Sequence, residues 1–282
     1  MHGIGNDFIL IDADAEPLPE DRLSEISRRL CHRKFGIGGD GLILVLKSSA
    51  SDFRMRMFNP DGSEAEMCGN GIRCFAKFVY DRGLTDSEQI TVATLAGEMK
   101  LDLRIEDRRV GSVRVDMGQP VLDRQKIPLS GNGRSPVIGE EVSIEGETYA
   151  ITAVSMGNPH AVVFTDDVSG VRLELVGPKI EHFPLFPART NVHFVEVHSS
   201  DELTMRTWER GAGATLACGT GACASVVASA INGRTGRRVT AHLPGGDLQI
   251  EWAEDDHVYM TGPATEVFEG EIELGLRIPS AV

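Results

Sequence analysis

The feature that most constrains this chain is a repeat carried at a nearly fixed offset. Laid over each other, Asp52–Asn59 and Glu202–Glu209 match 150 positions apart: Met55 and Arg56 fall on Met205 and Arg206, and Phe58 falls on Trp208. Without a gap, Cys68-Gly69-Asn70-Gly71 then lands on Cys218-Gly219-Thr220-Gly221. A weaker echo places Gly5-Asn6-Asp7-Phe8 over Gly157-Asn158-Pro159-His160 at an offset of 152. Each half reads as strand, polar loop, Cys-Gly-x-Gly and apolar helix, and one shared order of four features is hard to reach by chance. The repeat predicts two similar α/β domains related by a pseudo-twofold axis and dividing near 117–120. Equivalent residues then face each other across an interdomain cleft, a common place for a ligand.

Periodicity gives few helices. Residues 21–34 carry Leu23, Ile26 and Leu30 at helical spacing and stop at Gly36; 71–82 carry Ile72, Phe75, Phe78 and Val79. Residues 221–232 are small and apolar, with Gly233 as their stop, and a shorter helix is expected over 177–182. Strand patterning covers 42–46, 53–58, 90–94, 99–105, 112–116, 149–154, 161–164, 191–197, 203–208, 248–252 and 258–261. Tight polar turns between many of them point to antiparallel sheet rather than repeated βαβ units.

A length of 282 residues is comfortable for two domains, and 41% hydrophobic with 25% charged residues is ordinary for a globular chain. The net charge of −14 argues against nucleic acid, which needs a basic face. No run approaches the roughly 18 apolar residues of a membrane span, and the start, Met1-His2-Gly3-Ile4-Gly5-Asn6-Asp7, lacks the basic-then-apolar order of a secretion signal. A cytoplasmic address is expected. Cys31, Cys68, Cys74, Cys218 and Cys223 are an odd count with no Cys-x-x-Cys pair, so neither a disulfide framework nor a zinc site is expected. Cys31, Cys74 and Cys223 read as packing residues. Gly36-Ile-Gly-Gly-Asp-Gly41 matches a dinucleotide fingerprint formally, yet it precedes a strand where the fingerprint follows one, so it reads as helix stop and turn.

The two Cys-Gly-x-Gly segments carry the chemistry. A cysteine opening a helix sits where amide N–H groups are unpaired and the macrodipole is positive, and the glycines let a ligand reach them. Such a place suits a carboxylate and is expected to lower the thiol pKa toward neutrality. Two facing units can hold one carboxylate between two helix ends, with a sulfur on each side of its α-carbon. A thiolate then removes the α-proton from one face while the opposite thiol returns one from the other. No metal or organic cofactor is needed. A thiol hydrolase built on Cys218 and His160, or a non-catalytic binding protein, leaves the second cysteine idle.

The same segments resemble diaminopimelate epimerases, which interconvert L,L- and meso-diaminopimelate. The residues that carry the resemblance are His2–Phe8, the run from Phe58 through Asn59-Pro-Asp-Gly to Cys68-Gly-Asn-Gly-Ile-Arg-Cys74, Gly157–His160, and Glu209-Arg-Gly-Ala-Gly-Ala-Thr-Leu-Ala-Cys-Gly-Thr-Gly-Ala-Cys223. It covers essentially the whole chain. It implies that Cys68 and Cys218 are the acid/base pair. Gly69-Asn70 and Gly219-Thr220 would donate to the reacting α-carboxylate. Asn6, Asn59, Asn158, Asn191, Glu209 and Arg210 would hold the rest of the substrate, with His160 and Glu209 tuning the site. It further implies no cofactor, a homodimer, and domains at 1–116 plus 263–282 and at 117–262, each a largely antiparallel sheet or barrel wrapped around a central helix, an α+β fold. Two departures stand out: Met1 directly precedes His2 where family members begin with a short strand, and Gly41 occupies a place where some carry a polar substrate contact. The alternative within the same architecture is a proline racemase or hydroxyproline epimerase.

Overall fold

Among the described residues four α-helices are laid down as two matched pairs. Helix α1 (Leu23–Cys31) and helix α3 (Leu173–Glu181) lie 150 positions apart, as do α2 (Gly69–Asp81) and α4 (Gly219–Ile231); the computed structural model describes residues 1–274. The match extends to burial. α1 buries Leu23, Ile26, Ser27, Leu30 and Cys31, and α3 buries Leu173, Val176, Gly177, Ile180 and Glu181, the same five positions of one amphipathic stripe. α2 and α4 are instead buried nearly all round, as their apolar composition requires of a helix inside a fold.

Around each of these two helices runs a curled mixed sheet with the same pairing order. In the first half Asn6–Asp12 pairs parallel with Gly41–Lys47, which pairs antiparallel with Phe53–Phe58. Phe53–Phe58 pairs parallel with Gln89–Thr94, and Gly97–Glu106 and Arg109–Asp116 follow antiparallel. The second half repeats this with Pro159–Phe164, Asn191–Ser199, Glu202–Glu209, Arg238–Leu243, Gly246–Trp252 and Val258–Gly262. α2 touches strands at both ends of its set, Asn6–Asp12 and Arg109–Asp116, and α4 touches Pro159–Phe164 and Val258–Gly262, so each sheet closes around its helix. The last strands of the two sets pair with each other, Asp116 opposite Tyr259 and Val113 opposite Gly262.

Antiparallel pairing dominates, in line with the expected largely antiparallel sheet, and four strand pairs among the described residues are parallel. Each parallel pair is joined through a helix, because parallel neighbours need a crossover connection. α3 begins at Leu173, a turn earlier than its apolar pattern suggested, since Pro178 can be accommodated within it. Strands at Asn6–Asp12, Glu140–Ile144 and Arg238–Leu243 went unread, although Arg-Val-Thr-Ala-His-Leu243 alternates as a half-buried strand should. The strand Glu147–Ser155, beside Pro159–Phe164, corresponds to only His2–Gly3 in the first half.

One hydrophobic core contains residues of both central helices, with Ile72, Phe75 and Val79 continuous with Ala222, Val226 and Val227. Smaller cores lie under α3 and α1. After Gly262 the chain returns to the first half: His2 and Thr265 exchange backbone hydrogen bonds at 2.9 and 2.8 Å, and Arg82 pairs with Glu266 and Glu269. Residues 275–282, the end of the span expected to join the first domain, lie outside the described residues.

Candidate active site

Cys68 and Cys218 are the N-cap residues of α2 and α4, both in extended backbone (φ −138°, ψ 120° and φ −129°, ψ 103°). The first helical bond closes identically in each, Ile72 N–H to Cys68 O and Ala222 N–H to Cys218 O at 2.9 Å. The N–H groups of residues 69–71 and 219–221 precede those bonds and have no partner within the helix. The two helix starts converge: Asn70 Nδ2 donates to Ala217 O, next to Cys218, at 3.3 Å. A Cβ added to Gly69 would meet Met260 Cε at 3.0 Å, and one on Gly219 would meet Met260 Sδ at 3.0 Å and Asn70 Oδ1 at 3.7 Å. A side chain at either glycine would press on the end of Met260, which lies against both helix starts.

Burial raises the pKa of both thiols. The N–H groups of Asn70 and Gly71 pull that of Cys68 down, as Gly221 N–H and the Thr220 hydroxyl do for Cys218, and desolvation outweighs them. The expectation that the helix-end field takes the thiols toward neutrality is therefore corrected, because a thiolate loses more by leaving water than it gains from two amide dipoles. Glu209 adds to the effect, its charge raising Cys218 and, less strongly, Cys68. Its own pKa is raised by burial, against the Thr215 hydroxyl, which donates to Oε1 at 2.6 Å, and the Cys218 thiol. Half-buried Cys68 also donates to Asn6 Oδ1 at 3.7 Å, and the same oxygen accepts Asn70 Nδ2 at 3.2 Å. Asn6 Nδ2 donates to Asp40 Oδ2 at 2.6 Å, and Arg33 bridges Asp40 to Asp7.

On the other side Asn158 Oδ1 lies 2.8 Å from His160 Nε2, His160 Nδ1 lies 2.8 Å from His193 Nε2, and His193 Nδ1 lies 2.9 Å from Thr207 Oγ1. Burial holds both imidazoles neutral, with His193 pushed down to about 3 and His160 lowered further by His193 and Arg210. Asn191 donates to Pro159 O at 3.1 Å and accepts Arg210 N–H at 2.9 Å. The exposed Arg210 guanidinium donates to Ala188 O at 3.1 Å and has no carboxylate partner among the described residues, so it forms no ion pair with Glu209.

The fold thus gathers Cys68, Asn6, Gly69, Asn70, Cys218, Gly219, Thr220 and Glu209 at the paired helix starts, with Asn158–His160 and Asn191–Arg210 as two further linked pairs. Asn59 stands apart, its Nδ2 on Ser63 Oγ at 2.9 Å and its carbonyl on the Ser27 hydroxyl at 2.8 Å. Sequence reasoning missed Asp40, His193, Thr207 and Thr215. Strand register reveals the last three, since Thr207 is the direct cross-strand partner of both His193 and Thr215, while Asp40 sits on the bend before Gly41–Lys47.

With this geometry, the comparisons with known proteins are specific. The family model described as Diaminopimelate epimerase matches residues 1–122 and 152–267. A protein named diaminopimelate epimerase from Moorella thermoacetica is 60% identical over 275 residues, 97% of this chain and 98% of that protein; one from Desulfitobacterium hafniense is 57% identical over 274 residues, 96% of this chain and 95% of that one. Among solved structures, a Bacillus anthracis phenazine biosynthesis protein of the PhzF family aligns with TM-score 0.70 at 17% identity over 97% of this chain and 95% of that one. A probable proline racemase from Agrobacterium radiobacter aligns with TM-score 0.70 at 15% identity, covering 99% and 93%. These two show the fold alone, whereas the family model matches most of the chain and the two relatives match it nearly end to end. The chain belongs to the diaminopimelate epimerase family.

Proposed function

We propose that this chain interconverts L,L- and meso-diaminopimelate by proton transfer between two thiols, without pyridoxal phosphate or another cofactor. The observation that carries the proposal is the convergence of two matched helix starts, each capped by a cysteine, on one place in the fold. The substrate α-carboxylate lies between the N–H groups of Gly69-Asn70 and Gly219-Thr220, which also receive the charge that spreads into it as the α-proton leaves. One of Cys68 and Cys218, as thiolate, takes that proton; the other, as thiol, delivers its own to the opposite face, leaving inverted carbon and exchanged roles. Which sulfur begins as thiolate depends on the configuration of the reacting α-carbon, and the substrate's α-ammonium favours the ionised form beside it.

The remote end of diaminopimelate is itself a zwitterionic amino acid. Arg210, which pairs with no carboxylate among the described residues, suits its carboxylate, while Glu209 and the amide oxygens suit its ammonium. Asn6, Asn158 and Asn191 complete that end, with His160 setting Asn158; Asn59 reaches it only by leaving Ser63. A proline racemase or hydroxyproline epimerase has no second charged end to bind, and the relatives of that kind share only 15–16% identity with this chain. We extend the reading to a cytoplasmic homodimer on the family resemblance, and to domains at 1–116 with the returning C-terminal segment and at 117–262, supported by the strand pairing between Arg109–Asp116 and Val258–Gly262.

The test is exchange in deuterated water. L,L-Diaminopimelate incubated with the protein acquires deuterium at one α-carbon as the meso isomer appears, and proline acquires none. Cys68→Ala and Cys218→Ala each lower turnover by about 10²–10⁴-fold or more. Labelling of proline but not of diaminopimelate, or full activity in either variant, overturns the proposal.

A further inference from the structure

The repeat shows how the fold fills the space beneath a cysteine helix when only packing is required. Under α2 that space is apolar: a Cβ on Gly71 would meet Ile43 Cδ1 at 2.9 Å and Phe8 Cζ at 3.5 Å, and one on Gly41 would meet Met57 Cε at 3.0 Å. Phe8, Ile43 and Met57 are all buried in the main core. Under α4 the positions matching these three through the offsets of the repeat hold His160, His193 and Thr207, also buried. His193 takes the place of Ile43 against the helix, since a Cβ on Gly221 would meet its Cε1 at 2.3 Å. Apolar side chains suffice here in one half. Burying three polar ones in the other is costly unless every polar atom is paired.

They are paired, and in one direction. Asn158 faces His160 with its oxygen, which only accepts, so His160 Nε2 carries the hydrogen. A neutral imidazole has one N–H, so His160 Nδ1 is bare and accepts from His193 Nε2–H at 2.8 Å. His193 Nδ1 is bare in turn and accepts from the Thr207 hydroxyl at 2.9 Å. The chain of donors runs Thr207, His193, His160, Asn158. It leaves Asn158 Nδ2 outward, with no hydrogen-bond partner among the described residues. Asn6, the matching asparagine of the first half, is different: its Nδ2 is held by Asp40 and its Oδ1 by Asn70.

We infer that Thr207 and His193 are positioning residues which, through His160, fix the Asn158 amide oxygen inward and its NH2 outward, giving this side of the cleft a hydrogen-bond donor for a substrate carboxylate. The kinetic part of this inference rests on the reading of the cleft as a diaminopimelate site; the order of donors does not. Reversing the chain would turn the amide over and present an oxygen, which repels a carboxylate. The four groups are coupled: the Asn158 amide cannot turn over unless both buried rings change tautomer and the Thr207 hydroxyl turns with them.

Two measurements on the full chain test this. The ring 15N shifts of His160 and His193 distinguish protonated from bare nitrogens; the expected spectrum of the unmodified protein has both rings protonated at Nε2. Thr207→Val, which keeps the shape and removes the hydroxyl, should shift the His193 signals, raise KM for L,L-diaminopimelate about tenfold and leave kcat within about twofold, as loss of uniform binding does. Thr207→Ser returns the hydroxyl and should recover both the spectrum and KM. Nδ1-protonated His193 in the unmodified protein overturns the inference without any variant having to fold. Equally, it fails if Thr207→Val leaves spectrum and KM unchanged. Should the unmodified protein not act on diaminopimelate, the proposed function falls, and the spectra still decide the order of donors.

Discussion

At the scale of single residues, Cys68 and Cys218 experience two opposed influences. Helix-end N–H groups favour the thiolate, while burial and the charge of Glu209 favour the thiol, and the second pair wins. The expected consequence is slow alkylation by iodoacetamide at about pH 7, accelerating steadily toward about pH 9.5 as the thiolate fraction grows. Peptide mapping by mass spectrometry reads each cysteine separately. Glu209→Gln removes a negative charge beside Cys218 and should shift its alkylation profile to lower pH, an outcome opposite to that of a general base. A profile that is flat from neutral pH, or shifted upward in the variant, contradicts this account. The cysteines and glycines were legible in the sequence because their roles follow from local backbone position. His193 and Thr207 were not, since a histidine and a threonine in two strands reveal nothing until register sets them opposite each other.

At the scale of elements, the glycine three residues after each cysteine fits a helix against its sheet, but the two halves differ in what stands behind it. A methyl group on Gly221 would enter the buried His193 ring, which is held at both nitrogens and cannot retreat. One on Gly71 would be crowded by the terminal carbon of Ile43, which can rotate away, while Cys68 Cβ and Phe8 Cζ stand at ordinary contact distance. Gly221→Ala should therefore lose about 1–3 kcal/mol, and Gly71→Ala less than about 1 kcal/mol, by urea denaturation. Equal losses would show that the ring is not the obstacle. Helices α1, α2 and α4 could be read from apolar spacing and glycine stops, and Gly36–Gly41 did prove to be helix stop and turn, with Gly38 N–H on Leu30 O at 2.9 Å. α3 was read short because its internal Pro178 imitates an end.

At the scale of the whole molecule, the two halves meet where Arg109–Asp116 pairs with Val258–Gly262, and there His257 Nδ1 lies 2.8 Å from Asp116 Oδ1. The Asp116 carboxylate raises the His257 pKa. A raised histidine pKa contributes stability that is fully present below the unfolded value of about 6.5 and is lost as pH rises through the folded value. Thermal melts should accordingly show His257→Gln less stable than the unmodified chain at about pH 5.5, with the gap closing by about pH 8.5; a gap that widens with pH refutes the linkage. The site is partly exposed, so the difference is small. The sequence alone determined the duplication, the two cysteine-capped helices and the family, because each is written in contiguous residues or in a constant offset. Tertiary structure decided the rest: which strands run parallel, that one core spans both central helices, and that the thiols are raised rather than lowered. Those depend on how far water is excluded and on which side chains register brings together, and neither quantity is a property of any segment by itself.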